Sequence, residues 1–330
     1  MTIHHARLKR LVLAGAAFFL FLFLPGGGAG AVTVSPVLFD MDIAPGATAQ
    51  DKIVLTNDTD ERQTFAFLAE NFTARGEEGG QEYIHEDEPT GLASWVYPDR
   101  PSVTLDPGQS AEFPFLISVP EDAEPGGHYA TIFFSRGAGD GASSAKGGVG
   151  ITEQIGVLLL VRVPGDIMEK ANVESFRMAK GTVLHRLPAE FELRVRNTGS
   201  VHVRPTGTLV IRNLIGITAA RLPANPKQSA VLPGSVRKIE NAWLKTAAPE
   251  DGGFWAEAAN EWRNFALGRY AASVELAYGS RQELIRSQTV HFWVIPWRVL
   301  LLALGAFIAL IILVKVYNAI VVRAALRKSG

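Results

Sequence analysis

From Ala189 to Asn197 the chain reads AEFELRVRN. On an extended backbone Phe191, Leu193 and Val195 share one face, while Glu190, Glu192, Arg194 and Arg196 share the other. A helical period would scatter both sets around an axis, so the pattern predicts a half-buried strand. The alternation recurs along the chain. AEFPFLISVP aligns Phe113, Phe115, Ile117 and Val119, and RYAASVELAY aligns Tyr270, Ala272, Val274, Leu276 and Tyr278. QIGVLLLVRV is partly apolar on both faces, as a strand covered on both sides is. Turn residues punctuate these runs at Ala44-Pro45-Gly46, Asp106-Pro107-Gly108, Pro125-Gly126-Gly127 and Pro233-Gly234. Many short strands with regular Pro/Gly breaks predict an all-β body built of sandwiches.

A coarse repeat divides that body. IVLTNDTD (53–60) and LRVRNTGS (193–200) each run a strand into an Asn-bearing turn. Each is followed by a Pro-Gly turn and another strand, in LDPGQSAEFPF and VLPGSVRKIENAW, and then by HYATIFF or RYAASVELAY. The expectation is two tandem Ig-like modules, 32–164 and 165–296, parted near Pro164-Gly165. Their charges differ. The first carries 21 acidic and 7 basic residues, a net of −14, and the second 12 acidic and 17 basic, a net of +5. A basic module beside the membrane suits anionic lipid heads. The competing reading is drift in surface composition.

The ends have another character. MTIHHARLKR, the apolar LVLAGAAFFLFLFL and the small-residue stretch PGGGAGA read as a signal peptide over residues 1–31, cut after Ala31. The alternative is an uncleaved anchor helix. Near the other end, VLLLALGAFIALIILVKVYNAIVV (299–322) holds one charge, Lys315, in 24 residues. As a helix it is about 36 Å long, enough to span a bilayer with tilt. The expected span is 297–322. Trp293 and Trp297 belong at the interface, and Arg298, Lys315 and Arg323 anchor the helix with Trp297. Lys315 either snorkels toward the interface near Tyr317 or is a functional intramembrane charge. Arg323, Arg327 and Lys328 place the tail, 323–330, in the cytoplasm and the body outside. The chain has no cysteine, which rules out disulfides, thiol nucleophiles, cysteine-ligated zinc and a lipoprotein anchor. A net charge of −1 gives no argument for nucleic acid.

Side chains that carry chemistry are sparse. In EPGGHYATIFF, His128 and Tyr129 open a strand after a Gly-Gly turn, and both are candidates for a binding surface. His128 has no metal-spaced partner on its strand, so turn capping competes with a metal or base role. Ser143-x-x-Lys146 has the spacing of a serine hydrolase pair, yet it sits in the glycine-rich tip 137–150, where no helix aligns the two, and reads as chance. Glu82, Glu86, Asp87 and Glu88 around His85 are a possible calcium cluster or a solvated loop, with no calcium-loop spacing. Asn57-x-Thr59 and Asn71-x-Thr73 are sequons that matter only in a glycosylating host. In GGFWAEAANEWRNFALGRY, Phe254, Ala258, Trp262 and Phe265 share one helical face, with Trp255 beside it. That face either meets a bilayer or partner, or packs on its own sandwich. Trp95 either fills the first core or lies exposed with Tyr97.

The stretch SWVYPDRPSVTLDPGQSAEFPFLISVPEDAEPGGHYATIFF, continued by GVGITEQIGVLLLVRVPG, resembles the N-terminal domain of the WxL-interacting proteins. These are bacterial surface proteins with a signal peptide, two Ig-like domains and a C-terminal transmembrane helix. The second module, with FELRVRNTGSVHVRPTGTLVIRN, matches more loosely. The resemblance implies peptidoglycan binding by the first domain and partner-protein binding by the second. The sandwich is also similar to periplasmic pilus-chaperone domains. The expected function is therefore non-enzymatic and cofactor-free: surface binding of cell-wall polysaccharide or a surface protein, with the bilayer held by the C-terminal helix. An extracytoplasmic chaperone or assembly factor, adding a partner strand at a sheet edge, is the alternative. An envelope hydrolase lacks any recognisable nucleophile–base pair.

Overall fold

The computed structural model describes residues 31–85, 90–136, 154–247 and 252–328, with side chains as far as Arg323. Residues 1–30 of the expected signal peptide, the 137–150 tip with Ser143 and Lys146, and the carboxylates Glu86, Asp87 and Glu88 lie outside the described residues. Within them the chain forms two Ig-like β-sandwiches followed by a long apolar helix.

In the first sandwich one sheet has the order β1 (Val32–Ser35), β3 (Thr48–Asn57), β8 (Ser110–Ser118), β6 (Val96–Pro98). The facing sheet runs β2 (Leu38–Asp42), β10 (Gln154–Val163), β9 (Gly126–Arg136), β4 (Gln63–Arg75), β5 (Gly80–Ile84), and β7 (Ser102–Leu105) also pairs β4. The alternation read in AEFPFLISVP has its cause here: Phe113, Phe115, Ile117 and Val119 all point into the core with Ile53, Leu55, Ile132 and Phe134. Each such side chain contributes about 1.5–3 kcal/mol when fully buried. A short helix, α1 (Gly91–Trp95), packs Leu92 and Trp95 into the same core. Trp95 is thus a core residue, and Tyr97 is the exposed one.

The second sandwich repeats the plan. One sheet is β11 (Ala171–Met178), β13 (Ala189–Asn197), β16 (Val236–Trp243). The other is β12 (Val183–Leu184), β19 (Val290–Val294), β17 (Gly268–Tyr278), β14 (Thr206–Asn213), β15 (Thr218–Pro223), with β18 (Glu283–Arg286) on β17. In both bodies the opening segment is shared between sheets. β1 and β11 pair antiparallel with the next long strand, whereas β2 and β12 pair parallel with the last.

The repeat extends to single atoms. Asn57 and Asn197 end β3 and β13 and are fully buried. Asn57 Nδ2 donates to the carbonyls of Glu61 (2.8 Å) and Leu105 (3.1 Å), and Asn197 Nδ2 to those of Val201 and Val231 (both 2.8 Å). The Pro-Gly turns dock on the same residues: Gly108 N donates to Asn57 O at 2.7 Å, and Gly234 N to Asn197 O at 3.0 Å. Both glycines have positive φ, +72° and +70°, which a side chain would strain. Asn57 is therefore an internal staple, closed to glycosylation. Asn71 holds α1 in a similar way, donating to Thr90 O and accepting from Ala93 N.

The described residues form two more helices: α2 (Phe254–Arg263) precedes β17, and α3 (Trp297–Lys328) follows β19. Residues Trp297–Arg323 of α3, 27 residues whose most apolar 18-residue stretch has mean hydropathy 2.9, are long and apolar enough to cross a membrane. The helix continues to Lys328, so the segment read as a tail from residue 323 is still helical.

Candidate functional site

The two-sided apolarity of β10 leads to a cleft between the sandwiches. Val157, Leu159, Val161 and Val163 face the first core. Leu158 and Leu160 point the other way, and with Leu38 and Phe72 they line a cleft of about 330 Å³. The same outer sheet face carries an aromatic ladder, in which Phe72 lies 6.2 Å from Tyr83 and 6.1 Å from Tyr129, and Tyr83 lies 4.9 Å from Phe133. Such ring pairs add to what burial alone provides. The opposite wall belongs to the second sandwich: Arg204, Lys227 to Ala230, Leu232, Val236 and Arg237.

Two sets of polar contacts hold the cleft's shape. At one side buried His202 donates from Nε2 to Asp40 Oδ1 (2.9 Å), and its backbone N–H reaches Tyr129 Oη (2.9 Å). Arg204 Nε donates to Asp40 Oδ2 (2.8 Å), and Gly127 N to Ser200 O (3.0 Å). Partial burial pushes the Asp40 carboxyl up, but the hydrogen bonds and charges of His202 and Arg204 outweigh it and hold Asp40 below the ordinary carboxylate value. Burial pushes the Tyr129 hydroxyl well above its ordinary value, so it is a neutral bonding group. At the other side the tip of the β4–β5 hairpin reaches across. Glu77 Oε2 accepts from Arg194 Nε (2.6 Å), Glu77 O accepts from Lys238 N (2.8 Å), and Lys238 Nζ lies 3.1 Å from Glu78. The charge asymmetry in the sequence thus has a structural use: acidic groups of the first body meet basic groups of the second.

Arg237 differs from these neighbours. Its guanidinium rests on Gly79, where any Cβ would overlap it. No hydrogen bond to it occurs among the described residues. Burial pushes its pKa down, and the charge of Glu78 opposes that shift. A half-buried guanidinium above an apolar floor is a ready partner for a carboxylate.

The residues singled out in the sequence are dispersed. Tyr129 is built into the interface just described. His128, one position earlier, donates from Nε2 to Glu124 O (2.9 Å) and packs on Trp95, with ring centres 4.6 Å apart. His85 pairs with Glu70 at 3.1 Å. Among the described residues no three His, Cys, Asp or Glu side chains are grouped to hold a metal.

The aromatic residues lie at the far end of the second sandwich. There α2 buries Ala258, Asn260 and Glu261 and leaves Trp255 and Trp262 outward, 73% and 70% exposed. Phe254 and Phe265 are also exposed, and Phe254 lies 6.2 Å from Trp297. Helix α2 therefore presents its aromatic face instead of packing it on the sandwich. What fixes the helix is Glu261, whose carboxylate is wholly buried. It accepts from the backbone N–H of Arg298 (3.0 Å) and Val299 (3.1 Å) and from Arg298 Nη1 (3.0 Å). It thus caps the first turn of α3, where backbone donors lack helical partners and a negative charge is favoured. Arg298 also stacks on Trp297 at 4.7 Å. Lys315 and Arg323 lie on the exposed surface of α3. Glu261 went unnoticed in the sequence because its partners are 37 and 38 residues away. The Glu257-x-x-x-Glu261 spacing, beside a span that opens on Arg298, was the only local hint.

No protein-family model and no curated sequence matches the chain. Solved structures with a similar outline include the class 5 fimbriae chaperone CfaA, at 10% identity and TM-score 0.37, covering 81% of this chain and all of that one. The E. coli chaperone DraB aligns at 10% identity and TM-score 0.34, over 80% of this chain and 97% of its own. The periplasmic chaperone SfaE aligns at 11% identity and TM-score 0.32, over 80% and 100%. Likeness this distant carries no argument about function.

Proposed function

We propose that the protein is a membrane-anchored, extracytoplasmic binding protein that holds an extended segment of a partner protein in the cleft between its sandwiches. The observation that carries this reading is the pairing of an apolar floor with Arg237, a guanidinium with no hydrogen-bond partner among the described residues. Apolar side chains of the segment would lie on Leu38, Leu158 and Leu160, and a carboxylate would meet Arg237. The reading is that of a binder or assembly factor; the resemblance to WxL-interacting proteins implies a protein partner for the second module and peptidoglycan for the first.

Strand addition has its own support. Strand β2 pairs β10 only over Leu158 to Arg162. Gln154 to Val157 thus extend past it as an uncharged edge with no strand partner on that side among the described residues, a place where another strand could pair. Three other edges are blunted: β6 ends in Pro98, β15 carries Arg221 and Pro223, and β16 carries Arg237 and Lys238 under the β4–β5 hairpin. In the bound state the edge-facing amides of Gln154 and Gly156 would gain protection from hydrogen exchange.

The test is photo-crosslinking of the full chain in its native envelope, with a benzophenone side chain at Ala230. A protease-sensitive adduct that disappears with Arg237→Ala is the expected result. An adduct removed by muramidase would assign the cleft to wall polysaccharide. No adduct, or one indifferent to Arg237, would overturn the reading.

A further inference from the structure

The end of the second sandwich beside α3 carries a second apolar feature. The turn joining β14 to β15 reads Asn213-Leu-Ile-Gly-Ile-Thr218, with Leu214 72%, Ile215 75% and Ile217 59% exposed. Turns normally select Gly, Pro, Asn, Asp and Ser at such tips. This tip is firmly built: Asn213 N donates to Ile217 O, Asn213 Oδ1 accepts from Ile217 N (both 2.9 Å), and Gly216 N donates to Asn213 O (3.0 Å). Its apolar side chains are held outward by a defined backbone.

Strand register fixes where the tip lies. Asn213 stands opposite Tyr270, and Tyr270 opposite Phe292. Val294, which ends β19, is two residues further, about 7 Å along the strand, and α3 starts three residues later at Trp297. The tip and the entry to the helix are therefore at the same end of one sheet. Helix α2 is at that end too. It borders an apolar groove whose other wall is Val299, Leu302, Ala303 and Ala306 of α3. Val299 to Ala306 covers about 10 Å of the span's rise, so a helix alongside it is at bilayer depth once α3 crosses. Exposed Arg212, Arg263 and Arg269 end β14 and α2 and open β17 at this end of the sandwich, and arginines there suit anionic headgroups.

We infer that this end of the second sandwich is a lipid-binding surface, in which Leu214, Ile215 and Ile217 enter the near leaflet beside Trp255 and Trp262 of α2. The occupant is the bilayer that α3 crosses, because the tip lies at the end of the sheet from which the chain leaves for the span. The body is thereby held at two places, the helix and the β14–β15 tip, and cannot swing freely about residue 296. The inference rests on α3 spanning the membrane.

The chain has no cysteine, so single labels report cleanly. Full-length Ile215→Cys carrying an environment-sensitive NBD probe is reconstituted in phosphatidylcholine–phosphatidylglycerol vesicles, with Ile217→Cys as a second site. Leu310→Cys reports the span and Asp122→Cys the aqueous side. Residues 215 and 217 are exposed, so labelling spares the fold. Expected are blue-shifted emission at 215 and 217 and its quenching by lipids spin-labelled high on the acyl chain, as at 310 and not at 122. Quenching at 310 without quenching at 215 and 217 would overturn the inference and leave the span intact. No quenching at 310 would overturn both. A blue shift that lipid labels do not quench, and that grows with protein density, would assign the tip to a second copy of the chain and overturn the inference.

Discussion

A single carboxylate, Glu261, joins the second sandwich to the helix that leaves it. Its burial is stable only because Arg298 and two backbone N–H groups surround it, so removing the charge leaves Arg298 poorly compensated. Glu261→Ala is expected to cost about 3–5 kcal/mol, read as a lowered unfolding midpoint of the full chain in detergent. Glu261→Leu combined with Arg298→Met should recover most of that loss, since an apolar pair needs no compensation. A cost below about 0.5 kcal/mol for the single change, the level of a plain surface substitution, would show that the cap does not hold the two parts together. Asn57 and Asn197 are the opposite case at this scale. Their place in each turn was legible in TNDT and RNTG, yet their burial was not, because it depends on carbonyls brought in by β7, by the turn itself and by the bridge at Val231.

Among the elements, the β4–β5 hairpin does most to shape the cleft, and Gly79 is its critical point. Its φ is +89°, and the Arg237 guanidinium occupies the space where a Cβ would go. Gly79→Ala should therefore displace Arg237 and lift the tip. The expected readout is faster hydrogen exchange at the Lys238 amide, now bonded to Glu77 O, with exchange at core amides of β13 unchanged. Unaltered exchange at Lys238 would mean the tip holds without close packing. The strands themselves were largely legible, because alternation follows from one buried face. Strand β10 was harder to interpret. Its two apolar faces read as those of a central strand, and the structure gives the second face to the cleft. Helix α2 was legible as a helix with an aromatic face, but the pattern is silent on what that face meets.

For the whole molecule, the junction between sandwiches makes a prediction about acid. Asp40 and Glu169 both have carboxyls held below their ordinary values of 3.8 and 4.5. At Glu169 burial pushes up, and hydrogen bonds from Ser280 with the charge of Arg162 push down harder. A carboxyl with a depressed folded value stabilises the junction fully above its ordinary value and loses that contribution as pH falls through the lower one. Spin-label distances between the two sandwiches should therefore stay narrow at neutral pH and broaden below about pH 4, before either core unfolds. Broadening on raising the pH instead would contradict the assignment. What the sequence determined by itself is what short-range physics dictates: alternation makes strands, Pro-Gly and Asn make turns, and an uninterrupted apolar run makes a membrane-length helix. The tertiary structure alone decided which outward faces meet. Leu160 and Arg237 come to share a cleft, and Ile215 comes to the end of the sheet from which the chain leaves for Trp297, because strand pairing sets positions between residues far apart in the chain, and no local pattern encodes those distances.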